Sequence, residues 1–110
     1  MLKKINRISK KSEFDEIKKM GVFFGFSKFF GMVVLDKKDN ELKFGTVISK
    51  KISKRAVDRN KIRRRLMEVL GKNLDIFKKG KRVLFLVKKE LLGVKPEEIE
   101  KEIKRLMSKV

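Results

Sequence analysis

The apolar positions change period several times along the chain, and each change marks an element. Phe14, Ile17 and Met20 recur at a spacing of three from the stretch Ser12-Glu13-Phe14-Asp15. That stretch fits a capping box, with Ser12 as N-cap and Asp15 answering from N3. It predicts a short helix stopped by Gly21, a residue suited to the C′ position. Residues 23–30 then hold five Phe in eight, and the apolar run continues through Met32, Val33, Val34 and Leu35. The run predicts one strand that ends at the turn-forming residues 36–40. Over residues 42–49, Leu42, Phe44 and Thr46 alternate with Lys43, Gly45 and Val47. This predicts a second strand, in a hairpin with the first.

The period then lengthens. Ile62, Leu66, Val69 and Leu70 fall at i, i+4, i+7 and i+8, which predicts a helix with Ser53 as N-cap, ending at Gly71 or running on to Phe77. Residues 79–81 read as a turn. Residues 83–87 are a continuous apolar run, the mark of a strand buried on both faces. Pro96 at N1, followed by Glu97 and Glu98, opens a last helix with Lys104, Arg105 and Lys109 near its end and Ile99, Ile103, Leu106 and Val110 as its buried stripe. No repeat or linker interrupts the chain. The order of helix, strands, helix, strand and helix is that of an α+β (α/β) sandwich, a single domain over 1–110.

Charge changes this picture from a fold to a partner. The 110 residues carry 32 Lys and Arg against 14 Asp and Glu, a net +18. So large a charge on so small a domain repels itself, and a polyanion is the partner that neutralises it. Nucleic acid is the first choice, ahead of an anionic membrane surface. Cysteine and histidine are both absent, which excludes disulfides, thiolate metal sites, Cys nucleophiles and the commonest general base. The basic first residues lead into Ser12 and Glu13 rather than an apolar run, against a secretory signal. No stretch approaches the ~20 apolar residues of a membrane span. The expected location is the cytoplasm.

Residues 50–65 hold nine basic side chains and one acid. On a helical wheel over 53–70, Ile62, Leu66, Val69 and Leu70 face the core, while Ala56, Asn60, Arg63, Arg64 and Met67 lie on a stripe away from it. Asp58, Lys61, Arg65 and Glu68 form a third, mixed side. A solvated helix face would interleave Glu with Lys at i, i+4; here acids scarcely accompany the bases. Guanidinium forks match phosphate oxygens, and Asn can donate and accept toward a base edge. Lys50, Lys51, Lys54, Arg55 and Arg59 add charge where the chain enters the helix, whose N-terminal dipole also favours phosphate.

The residues Arg59-Asn60-Lys61-Ile62-Arg63-Arg64, preceded by residues 49–57, closely resemble the Arg-Asn-Arg signature region of the bacterial ribonuclease P protein. The resemblance takes in residues 2–7, Glu13 and Phe14, and the later strand and helix in order, so it covers nearly the whole chain. It implies a central mixed sheet of about four strands packed with three helices in α-β-β-α-β-α order, including a left-handed βαβ crossover. It further implies that the signature helix contacts a catalytic RNA, and that a cleft between the sheet and the N-terminal helix holds the single-stranded 5′ leader of precursor tRNA. Carried over by position, Lys50, Lys51, Lys54, Arg55, Arg59, Asn60, Lys61, Arg63 and Arg64 would serve the RNA face. Phe14, Lys18 and residues of the open sheet face, including Phe30 or Val33, would line the leader cleft. Three positions depart from the family pattern. Lys61 replaces the second signature Arg and loses its fork. Met67 stands where a basic residue is usual, and Lys18 where an aromatic is.

Nine Phe with no Tyr or Trp would by default be core. A strand alternates its faces, however, so some of Phe23, Phe24, Phe26, Phe29 and Phe30 point outward, where they would offer a stacking platform for single strands. No protein catalytic constellation is visible, so the chemistry is assigned to the RNA partner, with Mg²⁺ held mainly by RNA. The protein is expected to be monomeric, one per RNA. The rivals are a small basic ribosomal or other structural RNA-binding protein, a metal-dependent nuclease acting alone, and a double-stranded DNA binder.

Overall fold

The structure of the protein, a computed structural model, describes residues 3–26, 29–48, 51 and 54–107. The first helix, α1, spans Lys11–Met20, with Lys10 at the N-cap position and no capping side chain. The Lys10 carbonyl already accepts from the amides of Glu13 and Phe14 at 3.1 and 3.3 Å. The first turn therefore closes before Ser12, which sits inside the helix instead of capping it. Gly21 does end α1, but in extended backbone with φ −73°. Glycine is needed there for close approach: a Cβ would lie 2.6 Å from Val33 Cγ1 and 2.5 Å from the Ile17 carbonyl oxygen.

The Phe-rich run is two strands, not one. β1 (Val22–Phe26) and β2 (Phe30–Asp36) pair antiparallel, with a register shift between Phe23 and Gly25. A single strand over residues 23–35 would be about 43 Å long, more than the 36 Å longest dimension of the molecule, so the run folds back on itself. β3 (Lys43–Val47) makes no hairpin with β2. The strand β4 (Lys81–Val87) lies between them, antiparallel to β2 and parallel to β3, in the order β1-β2-β4-β3. The most continuous apolar run takes the central place, where both faces are covered. The loop over residues 37–42 carries the chain to the far edge. A buried arginine fixes that loop: Arg82 is 5% exposed and grips Asp39 with two bonds of 3.2 and 2.6 Å, while also reaching Glu41.

The helix α2 (Ala56–Lys72) links parallel β3 and β4, and α3 (Pro96–Met107) closes the fold. The result is an α+β sandwich of three helices and a four-stranded mixed sheet, with one strand more in the chain order than expected. Arg55 occupies the N-cap position of α2; Ser53, the expected cap, lies outside the described residues. α2 runs one residue past Gly71 and stops at Asn73, whose side-chain amide donates to the Val69 carbonyl and to Glu100 of α3. Residues 74–76 form a short 3₁₀ turn rather than continuing the helix to Phe77. Ile99, Ile103 and Leu106 of α3 are buried as expected, while Val110 is outside the described residues.

Alternation along the strands feeds two cores. One face of the sheet sends Phe30, Met32, Val34, Phe44, Val83 and Phe85 beneath α2 and α3. There Phe30 meets Phe85 edge-on at 5.3 Å and Phe44 meets Phe77 at 4.8 Å. The other face is covered by α1 and the N-terminal segment, with Ile8, Ile17, Val33 and Leu84 buried and Phe14 packed at their margin.

Candidate RNA interface

The outward side of α2 presents Asn60, Lys61, Arg63 and Arg64 to solvent, and Lys51, Lys54 and Arg55 are exposed ahead of it. Arg59 is half-buried, and Lys50 lies outside the described residues. These side chains share a face because Ile62, Leu66, Val69 and Leu70 on the opposite side are held in the core. Within this face Asn60 Oδ1 accepts a hydrogen bond from Arg63 at 2.8 Å. The amide thus orients the guanidinium and keeps its own N–H donors for a ligand. Arg65, one position further round, donates to the Val94 carbonyl at 2.7 Å and ties α2 to the segment before α3. It serves the fold.

Met67 departs from the expected exposed stripe. It is only 5% exposed and joins the main core. Its edge of α2 also borders a groove of about 400 Å³ whose walls include Arg7, Phe14, Gly45, Thr46, Arg63 and Met67. A second hollow of about 200 Å³ adjoins it, bounded by Arg7, Asn60, Arg63, Arg64 and Met67. The Phe14 groove and the outward face of α2 are therefore one continuous surface, joined where Arg7, Arg63 and Met67 meet.

Phe14 lies in this groove, and its position there depends on a glycine. A Cβ on Gly45 would stand 2.8 Å from Phe14 Cε1, so the ring rests on bare β3 backbone. Lys18 is exposed one turn later on α1, outside the groove wall. Phe30 is not in the cleft. It is 0% exposed on the opposite face of the sheet, against Phe85, because the strand's alternation carries it there. Val33 does point to the α1 side but is buried beneath the helix with Ile17, so it supports the cleft floor without lining it. Phe23, opposite Val33 in the sheet, is 46% exposed. The side chains of Phe24 and Phe26 lie outside the described residues.

Sequence reasoning missed Lys4, Arg7, Gly45 and Thr46. The signals available were the basic N-terminal run and a glycine inside a strand, which often marks a close approach. The N-terminal segment reaches the site because it extends the sheet edge. Arg7 bridges Phe44 in parallel, the Ile8 amide donates to the Phe44 carbonyl at 2.9 Å, and the Asn6 side chain donates to the Leu42 carbonyl at 2.8 Å.

Asp58 and Glu68 are carried by α2 itself but line neither groove, and most of the ion-paired acids lie elsewhere. Asp36, Asp39 and Glu41 pair with Lys81, Arg82 and Lys43 around the far turn, and Glu100 and Glu102 pair with Lys104 and Arg105 on α3. Hydrogen bonds from Lys81 and from Arg82, each backed by a backbone amide, hold the Asp36 and Asp39 carboxyls below the usual aspartate range. Among the described residues no carboxylate lines either groove. Among the described residues, no helix is long and apolar enough to cross a membrane.

Known proteins place this arrangement. The family model for Ribonuclease P matches residues 2–110. The chain is 31% identical over 109 residues to the ribonuclease P protein component of Nitratiruptor sp., covering 99% of this chain and 95% of that one. It is 43% identical over 65 residues to the corresponding protein of Synechococcus sp., a match spanning 59% of this chain and about half (49%) of that relative. The fold is similar to that of the RNase P protein from Thermotoga maritima, with TM-score 0.83, 20% identity, and 94% and 96% of the two chains covered. It is also similar to the Staphylococcus aureus RNase P protein, with TM-score 0.79, 24% identity, and 96% and 94% covered. These matches favour the ribonuclease P reading over a ribosomal protein, and the chain belongs to the ribonuclease P protein family.

Proposed function

We propose that this chain assists a catalytic RNA in removing the 5′ leader from precursor tRNA, with the α2 face docked on the RNA subunit and the Phe14 groove holding the leader. The observation that carries this reading is the continuity of the two surfaces: the groove of about 400 Å³ shares Arg7, Arg63 and Met67 with the hollow beside the Asn60–Arg64 face, and no acid of the described residues lines either. Arginine and lysine neutralise phosphates of both RNAs where they converge, and the Phe14 ring offers a base an apolar surface to stack on. The holoenzyme is an endoribonuclease, a hydrolase, working in the cytoplasm with one copy of the protein per RNA.

The chemistry belongs to the RNA. Among the described residues no three acidic side chains converge to hold a cation, and Asp36, Asp39 and Glu41 are already engaged with bases. Mg²⁺ is a cofactor of the RNA in this reading and supplies the activated water there. The protein contributes binding: it lowers the repulsion between two polyanions and so reduces the Mg²⁺ needed for assembly.

The test is cleavage of precursor tRNA by a bacterial ribonuclease P RNA at low Mg²⁺, with and without the protein. Cleavage at the mature 5′ end only when both are present is expected. No stimulation by folded protein at any concentration would overturn the reading, as would cleavage by the protein with no RNA added.

A further inference from the structure

Arg7 occupies the seam between the two grooves, and its surroundings do not suit a resting arginine. Its Nε is buried and has no hydrogen-bond acceptor among the described residues. A buried N–H without a partner is costly. No carboxylate lines either hollow to compensate, while Arg63 and Lys4 stand in the same wall. Several cations gathered around one hollow without a counter-charge repel one another. An anion placed between them removes both costs.

The backbone holding Arg7 is fixed on both sides. Asn6 is tied to Leu42, Arg7 is bridged to Phe44, and the Ile8 amide is bonded to the Phe44 carbonyl, with the Ile8 side chain buried beneath α1. Arg63 is held from the other side by Asn60 Oδ1. Arg63 is oriented by that bond and Arg7 is anchored through its backbone, so the two can close on a tetrahedral oxyanion with little reorganisation.

We propose that Arg7 and Arg63 clasp a single phosphodiester at the seam, fixing the register of an RNA strand that passes from the Phe14 groove onto the Asn60 face. The inference rests on the proposed function for the identity of the strand, which is either the leader of the precursor or a segment of the catalytic RNA. The chemistry recognised, a backbone phosphate beside a stacked base, is the same for both.

The experiment uses Arg7→Met, which keeps an apolar stem against Met67, together with Arg7→Lys and the exposed Arg63→Met. The first probe is a ten-nucleotide oligouridylate bound by the protein alone. Loss of one charged hydrogen-bonded phosphate contact should weaken it about tenfold and reduce the salt slope by about one contact's share. Lysine should not rescue, since it cannot present the Nε donor. Arg63→Met should produce a similar loss, and the double variant little more than either single.

The second arm uses the complete holoenzyme. If the phosphate is the leader's, Arg7→Met weakens binding of precursors with long leaders and spares mature tRNA. If it is the catalytic RNA's, assembly weakens and leader dependence is unchanged. Wild-type affinity for Arg7→Met in every assay, or full rescue by Arg7→Lys, would overturn the clasp. Loss of oligouridylate binding in Arg7→Met, with a wild-type protein that fails to stimulate cleavage, would instead retain the clasp and remove the ribonuclease P reading.

Discussion

One face of the sheet buries Phe30, Met32, Val34, Phe44, Val83 and Phe85 under two helices, whereas the other covers Val33 and Leu84 with the ten residues of α1. Successive residues of the same strand, such as Leu84 and Phe85, therefore belong to different economies of contact. The thick face carries the larger core and holds the fold. On the thin face α1 leaves part of β3 uncovered, and Phe14 over Gly45 forms a groove where a second layer of helix would otherwise sit. A sheet of this size thus gives up one layer of packing to gain a binding surface, and substitutions on the two faces should separate stability from binding.

The largest effect is expected on the thick face. Phe85→Ala removes a ring that is 0% exposed and packs against Phe30 and Phe44; it should cost about 3–5 kcal/mol. Urea denaturation would measure the loss, and RNA affinity per folded molecule should be kept. If Phe14→Ala destabilises the protein as much, the division between the faces is wrong.

Next in size is the binding loss from removing the ordered part of the signature face. Asn60→Ala combined with Arg64→Ala deletes one guanidinium and the acceptor that orients Arg63. Assembly with the catalytic RNA should weaken about ten- to a hundredfold, while stability changes by no more than about 0.5 kcal/mol, as expected for exposed side chains. Unchanged assembly in a titration at fixed salt would take this face out of the interface.

A smaller effect should come from Gly45→Ala. The added methyl meets the Phe14 ring at 2.8 Å and must displace it. Discrimination between precursor and mature tRNA should fall severalfold, toward the level of Phe14→Ala, since base stacking on an aromatic is worth ~1–3 kcal/mol. Equal loss for both substrates would mean that Phe14 only packs.

Much of the thick face was legible from periodicity alone. The stripes of α2 and α3 and the continuous run at residues 83–87 announce burial, because core helices and central strands repeat one pattern over many residues. What escaped depends on partners far apart in sequence. Nothing local says that β3 pairs with β4 instead of β2, or that Phe23, Phe24 and Phe26 belong to one strand and Phe30 to the next, with Phe29 between them. Met67 reads as exposed on a wheel of α2 and is buried because it joins the main core cluster. Phe30 reads as a cleft aromatic until the register with Val87 puts it on the far face. The site was legible as chemistry, from its excess of bases, but its seam at Arg7 was not, since only the tertiary fold brings the N-terminal segment to α2.

The last contrast is between the unpaired basic seam and the paired turn around Arg82, and acid is the means of probing it. The Asp39 carboxyl sits below its usual range because Arg82 and the Glu41 amide bond its ionised form. A depressed folded-state value means that the unfolded chain binds the proton more readily. The stability from this pair is therefore fully present above the unfolded aspartate value and is lost as the pH falls through the lower folded one. Asp36, bonded by Lys81 and the Lys38 amide, follows the same direction. Asp39→Asn should be less stable than the parent at neutral pH, because nearly buried Arg82 loses the nearer of its two carboxylate partners and keeps only Glu41. The gap between the two should narrow as acid protonates Asp39 in the parent. Urea midpoints followed by circular dichroism from neutral pH into the acid range would show this convergence. A gap that stays constant with pH would mean that the pair holds the turn by packing and not by charge, and the distinction between a neutralised end and a charged seam would then rest on the binding data alone.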